Sequence, residues 1–176
     1  MLKKIFFALV LATAAFLAYV AVQPSDSTIT RSAVIAAPPE AIFPHINSLK
    51  KWDAWSPWAK LDPKAKNTFE GPEAGPGAAM SWDGNGDVGA GKMTIAESDA
   101  NKLVKLNLDF LKPMASKSVA EFTLQPEAAG TRVTWSMSGE RPFLARVMCI
   151  IFNADKMVGG MFEKGLASLA DVATKK

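Results

Sequence analysis

The chain has 176 residues, 49% of them hydrophobic, with 20 basic against 17 acidic side chains, one Cys and one His. That length suits one globular domain with a modest extension, and the hydrophobic fraction excludes a disordered chain. The net charge of +3 is no nucleic-acid footprint: two of the lysines, Lys3 and Lys4, flank an apolar run, and the remainder is near neutral.

Residues 5–22, IFFALVLATAAFLAYVAV, contain no charge, Gly or Pro. Their length is at the short end of what crosses a hydrocarbon core of ~30 Å, yet exceeds the ~7–15 residues of a cleaved signal's apolar region. The best small-x-small site, Ala12-Thr13-Ala14, lies inside the run. Residues 1–22 therefore read as an uncleaved signal anchor, ahead of a cleaved signal or a buried cytosolic helix. With Lys3 and Lys4 inside, the rest of the chain lies outside the cytoplasmic membrane, in the periplasm of a double-membraned bacterium. The membrane is thus an expected partner through this helix. Cys149 has no second Cys to pair with, and its context, RVMCIIF, reads as a buried helical position with an inert thiol.

Residues 23–27 (QPSDS) are a short linker, and a domain is expected over 28–173. Residues 28–36 are β-branched and alternating, a strand that Pro38-Pro39 stops. A short helix follows over 40–46, with Pro39 at its first turn, then a second one through Trp55 that Pro57 ends. Six alternating runs come next, at 66–70, 77–83, 90–98, 102–110, 116–125 and 131–139, separated by turn-like segments. Regular short strands of this kind predict a curved antiparallel sheet. From Pro142 to Ala173, apolar residues recur with a helical period, predicting one long amphipathic helix with Gly159-Gly160 as a soft spot. A curved sheet must bury its concave face, and that helix is the element long enough to do so. The fold class is α+β: a helix-grip arrangement with a cavity between sheet and helix.

The segment Arg31–Phe43, with I-A-A-P-P-E-A-I-F at its end, and Trp52-Asp53-Ala54-Trp55-Ser56-Pro57-Trp58 make a specific pair of motifs. Together with Thr134–Gly139 and Asp155–Gly159 they resemble the START-like SRPBCC superfamily, the polyketide cyclase/dehydrase and lipid-transport proteins. The resemblance spans about residues 28–172 and includes members with a membrane-anchoring N-terminus. It implies a helix-grip fold and a cavity for a hydrophobic ligand. It implies no particular reaction, because one scaffold hosts binders, transporters and enzymes.

The loop at 82–93, WDGNGDVGAGKM, matches pieces of three motifs. A dinucleotide or phosphate loop requires a helix to follow, whereas residues 92–97 read as a strand. A calcium loop requires Gly at its sixth position and Glu at its twelfth, where Val88 and Thr94 stand. A hairpin turn at Asn85-Gly86, its glycines at positive φ, accounts for the segment. His45 is the single imidazole and no Cys/His cluster exists, so no metal and no cofactor is expected. His45 reads as a helix-end residue.

Trp52, Trp55 and Trp58 form either a core plug or, in part, an indole wall at a cavity entrance. Alternation puts Met80 with Trp82 on one strand face, Leu106, Leu108 and Phe110 on another, and Trp135 with Met137 on a third. Met148 and Phe152 are facing helix positions. Asp155 interrupts the helix's apolar stripe and reads as one half of an ion pair, with Arg132 or Arg141 as a partner, or as a polar handle in the cavity. The candidate ligand-binding set is thus Trp55, Trp58, Met80, Trp82, Leu106, Leu108, Phe110, Trp135, Met137, Met148, Phe152 and Asp155. Glu121, between Ala120 and Phe122, reads as solvent-facing on the convex side. The leading function is non-enzymatic binding of a small hydrophobic or lipid-like ligand at the membrane. The alternatives are a cyclase/dehydratase-like enzyme and a protein-interaction module.

Overall fold

The computed structural model describes residues 1–140 and 143–175, excluding the side chains of Leu144, Ala145, Met148, Ile151, Phe152 and Ala154. The domain opens on β1 (Asp26–Ile35), followed by α2 (Pro39–Asn47) and 3-10 turns at Leu49–Ala54 and Trp58–Lys60. Pro39 sits in the first turn of α2, where its missing N–H leaves no bond unmade. Six strands then follow: β2 (Lys66–Glu70), β3 (Ala79–Asp83), β4 (Ala90–Asp99), β5 (Leu103–Lys112), β6 (Ser116–Glu127) and β7 (Gly130–Glu140). The expected strands are all present with ends shifted by a few residues, because alternation and turn residues marked them independently.

The seven strands form one antiparallel sheet in the order β1-β7-β6-β5-β4-β3-β2, so only the β1–β7 pairing is not between sequence neighbours. Register shifts between Ala90 and Gly91 and between Ile95 and Glu97 interrupt the β4–β5 ladder. Such irregularities bend a strand and sharpen its twist, which helps the sheet to curl. The strand faces alternate as expected: Val104 and Leu106 are buried, while Asn107 between Leu106 and Leu108 is exposed.

The C-terminal segment departs from expectation. It is two helices, α3 (Phe143–Phe152) and α4 (Ala154–Thr174), not one. The break falls at Asn153, which adopts the left-handed conformation at φ 49 and caps α4 by accepting the Lys156 N–H through its side chain. Asn tolerates this conformation better than other non-glycine residues and is a strong N-cap. Gly159 and Gly160 continue α4 without a break. Cys149 is half-buried on α3 rather than fully buried.

The helix α4 lies on the concave face, with Phe162, Leu166 and Leu169 buried on one stripe. At the end of the sheet where β1 finishes, the interior is solidly packed by Ile35, Ile42, Ile46, Phe122, Leu124 and Leu169. Ahead of the domain, α1 (Leu2–Ala21) is apolar and exposed along nearly its whole length. It is the one described helix long and apolar enough to cross a membrane. At ~1.5 Å rise per residue its 20 residues reach ~30 Å.

Candidate functional site

The interior is filled unevenly. At the end of the sheet where β1 begins, a cavity of about 730 Å³ separates the strands from α4 and the 3-10 turns. Its floor is Leu106, Ala120 and Trp135, with Phe162 of α4 opposite. Met80, Trp82, Met93, Leu108, Phe110 and Met137 wall it. Burial decreases along the inward face of β5 from Leu106 to the half-buried Leu108 and Phe110, so the floor is deep and the opening lies toward the strand's end. The rim includes Asp53, Trp58, Asp62, Asn67 and Val88. A sealed void of this volume would cost ~17 kcal/mol at about 24 cal/mol per Å³. That exceeds the ~5–15 kcal/mol of a whole domain, so the space is open to solvent or a guest.

The tryptophans divide into two kinds. Trp52 donates its indole N–H to Ile46 O at 2.9 Å, and Trp55 donates to His45 O at 3.0 Å. Both satisfy carbonyls at the C-terminal end of α2, which the helix leaves unpaired. Trp55 is 0% exposed and does not reach the cavity, contrary to its expected place on the wall. Trp52 and the half-buried Trp58 do reach it. Trp135 is the hub: it stacks on Phe162 at 4.2 Å and 8°, and meets Trp55 and Trp58 edge-on at 5.7 Å each. Its buried Nε1 has no hydrogen-bond partner among the described residues. An unpaired buried donor carries a desolvation cost of about 1–3 kcal/mol.

Trp82 pairs across the ladder with Gly91, where a Cβ would lie 2.6 Å from the indole ring. The glycine leaves room for that ring, which meets Phe110 edge-on at 5.9 Å. The neighbouring β3–β4 loop is not a glycine-driven hairpin. Asn85 holds it by accepting the Asp87 N–H at 2.9 Å and the Val88 N–H at 3.3 Å, and only Gly89 among its glycines has positive φ. Strand β4 follows where a nucleotide site would need a helix. Asp62 ties this loop to the rim by accepting the Asn85 N–H at 2.8 Å.

Asp155 lies outside the cavity wall. It pairs with Arg31 of β1 at 2.9 Å, and Glu163 binds the same guanidinium at 2.8 Å. Neither Arg132 nor Arg141 fills that place: Arg132 pairs with Glu127, and Arg141 lies outside the described residues. The hydrogen bonds from Arg31 to Asp155 and Glu163 raise the guanidinium's already high pKa. The arrangement clamps the start of α4 to the edge of the sheet. The side chains of Met148 and Phe152 lie outside the described residues.

Of the remaining candidates, Trp58, Met80, Trp82, Leu106, Leu108, Phe110, Trp135 and Met137 all face the cavity. Sequence reasoning did not single out Ala120, Met93 or Asn67 as wall residues. Ala120 shares its face with Phe122, a signal that alternation offered but that a small side chain weakens. Val158 and Phe162, readable on the helical stripe, also line the space. His45 is not on the wall; burial, and secondarily Lys51, lower its pKa. Among the described residues, no group of three or more His, Cys, Asp or Glu side chains is arranged to hold a metal.

A family model described as polyketide cyclase / dehydrase and lipid transport matches residues 26–174. No curated protein sequence matches the chain. Several solved structures share the fold. A protein of Mesorhizobium loti is 22% identical, with a TM-score of 0.60, over 85% of this chain and 100% of its own. A protein of Nitrosospira multiformis is 21% identical, with a TM-score of 0.61, over 85% of this chain and 97% of its own. Ara h 8.0201 is 13% identical, with a TM-score of 0.54, over 83% of this chain and 99% of its own.

Proposed function

We propose that this chain, which belongs to the polyketide cyclase/dehydrase and lipid-transport family, binds a small hydrophobic or lipid-like molecule without chemical change, tethered at a membrane by α1. The observation that carries the reading is the cavity of about 730 Å³ walled by aromatic and methionine side chains. That volume is within the ~300–1,000 Å³ of small-molecule sites. Methionines adapt to irregular apolar shapes, and indoles add flat apolar area.

The ionisable groups on the wall are Asp53 and Asp62 at the rim, far from the floor, and Asp62 is engaged by backbone N–H groups. No acid–base pair converges on the floor among the described residues. The binding reading therefore stands ahead of a cyclase-like reaction.

Titration with dansyl-labelled undecanoic acid, followed by energy transfer from the tryptophans, tests the reading. Saturable binding is expected. Trp135→Ala should weaken it by about tenfold, the equivalent of a lost aromatic contact, while Lys105→Ala on the opposite strand face leaves it within about twofold. Since Trp135 is central to the core, Leu108→Trp, which fills the cavity from a half-buried wall position, is the second probe and should also weaken binding. Equal effects of Trp135→Ala and Lys105→Ala, or non-saturating binding, would refute the site.

A further inference from the structure

The membrane helix and the cavity opening lie at the same end of the sheet. Antiparallel pairing places Asp26 beside Glu140, Ser118 beside Gly139, Phe110 beside Ser116 and Ala90 beside Lys112. The start of β1, the β5–β6 turn and the β3–β4 loop therefore share one end. Only residues 22–25 separate α1 from β1, and four residues reach at most ~14 Å. The hollow half of the interior is the half at this end, while the other half is packed.

Two further observations join α1 to the domain. Arg146 of α3 donates to Ala21 O at 3.3 Å and to Gln23 O at 2.8 Å, so α3 sits within one side-chain length of the end of α1. Val20, in the last turn of α1, is fully buried and Phe16 half-buried, although the rest of that helix is exposed. Exposed apolar side chains also concentrate here. Outside α1, Leu61, Leu111, Met114 and Phe143 belong to segments at the opening end and Val34 lies toward the other end, while Phe69 lines the cavity and Val22, Ile150 and Met157 are also exposed.

We propose that the cavity opens toward the bilayer that holds α1, with the β5–β6 turn, the segment around Leu61 and α3 placing apolar side chains in the interfacial layer beside the rim of Asp53, Trp58, Asp62, Asn67 and Val88. The ligand then passes between bilayer and cavity without crossing bulk water. If α1 spans the hydrocarbon core, its end at Ala21 lies at the membrane surface, and the Arg146 bonds fix α3 at that depth. The occupant of this surface is the lipid interface itself. This end of the sheet carries both signs of charge, Lys112 being paired with Asp83 and Lys117 with Asp109, so apolar insertion rather than a basic patch makes the contact. The proposal rests on α1 spanning the membrane and on the cavity taking an apolar guest.

The test uses the full chain reconstituted in phosphatidylcholine vesicles, with Cys149→Ser as background and bimane attached at Leu111→Cys, Met114→Cys or, as control, Val34→Cys. A lipid carrying a doxyl quencher near the headgroup should quench the first two probes at least about twofold more than the third. Equal quenching at all three positions, or stronger quenching at Val34, overturns the orientation. The second reading is the rate at which dansyl-labelled undecanoic acid moves from vesicles to the protein. Leu111→Glu with Met114→Glu should slow it about tenfold, since two apolar contacts leave the interface, while Val34→Glu leaves it within about twofold. Equal rates for the two variants overturn direct transfer. If no probe binds the wild-type chain, the ligand reading falls, and the quenching contrast still decides the orientation on its own.

Discussion

Phe162→Ala separates the gripping role of α4 from the solid packing behind it. Phe162 is 1% exposed, stacks on Trp135 at 4.2 Å and meets Trp58 edge-on at 6.2 Å. Truncating a buried Phe to Ala costs about 3–5 kcal/mol. Here one side of the ring already borders the cavity, so the new space merges with an existing one, and the low end, ~3 kcal/mol, applies. For a domain of this size that lowers Tm by about 6–12 °C. Leu169→Ala, fully buried at the packed end of the same helix, should cost a similar ~3–5 kcal/mol because its void is enclosed. Thermal unfolding followed by circular dichroism measures both. Only Phe162→Ala should also change the affinity for dansyl-labelled undecanoic acid. The division of the interior into a hollow and a packed half is refuted if Leu169→Ala perturbs probe binding as much as Phe162→Ala, or if Phe162→Ala leaves Tm within about 2 °C of wild type.

Two other outcomes follow from local geometry. A Cβ at Gly160 meets nothing within 4 Å, so Gly160→Ala should gain helix propensity of about 1 kcal/mol and raise Tm, whereas a Cβ at Gly159 collides with the Arg31 guanidinium, so Gly159→Ala should leave Tm at or below wild type. If both glycines respond alike in the same melting experiment, the Arg31 clamp is not seated on α4. His45 has a folded-state pKa below its ordinary 6.5, through burial and then Lys51, so protons bind the unfolded chain more readily. Its contribution to stability is complete above about pH 6.5 and declines as pH falls from there toward the folded-state pKa. In chemical denaturation at pH 7.5 and 5.5, His45→Gln should lose less stability on acidification than wild type, and an unchanged difference would contradict the assignment.

The sheet was legible because period-two alternation and turn residues are independent signals that agree, as at Leu106, Leu108 and Phe110. The helix break at Asn153 was not, since the apolar stripe runs through it and a single Asn inside a helical pattern is a weak stop. The Gly159-Gly160 pair looked like the soft point, yet Gly159 is there to admit Arg31 against the helix. Spacing alone also failed to separate Trp55 from Trp58. The three-residue interval is the same, and what divides them is the Trp55 hydrogen bond to His45 O, a tertiary contact across the end of α2. Asp155 was recognisable as an ion-pair residue, but its partner Arg31 lies 124 positions away, where only the fold brings them together.

Native mass spectrometry of the full chain, purified in mild detergent from its own cells and followed by solvent extraction, tests the central claim most directly. The account predicts a discrete small apolar adduct on the wild-type chain that is lost from Leu108→Trp. A bare wild-type mass, together with no saturable binding of dansyl-labelled undecanoic acid, would contradict it.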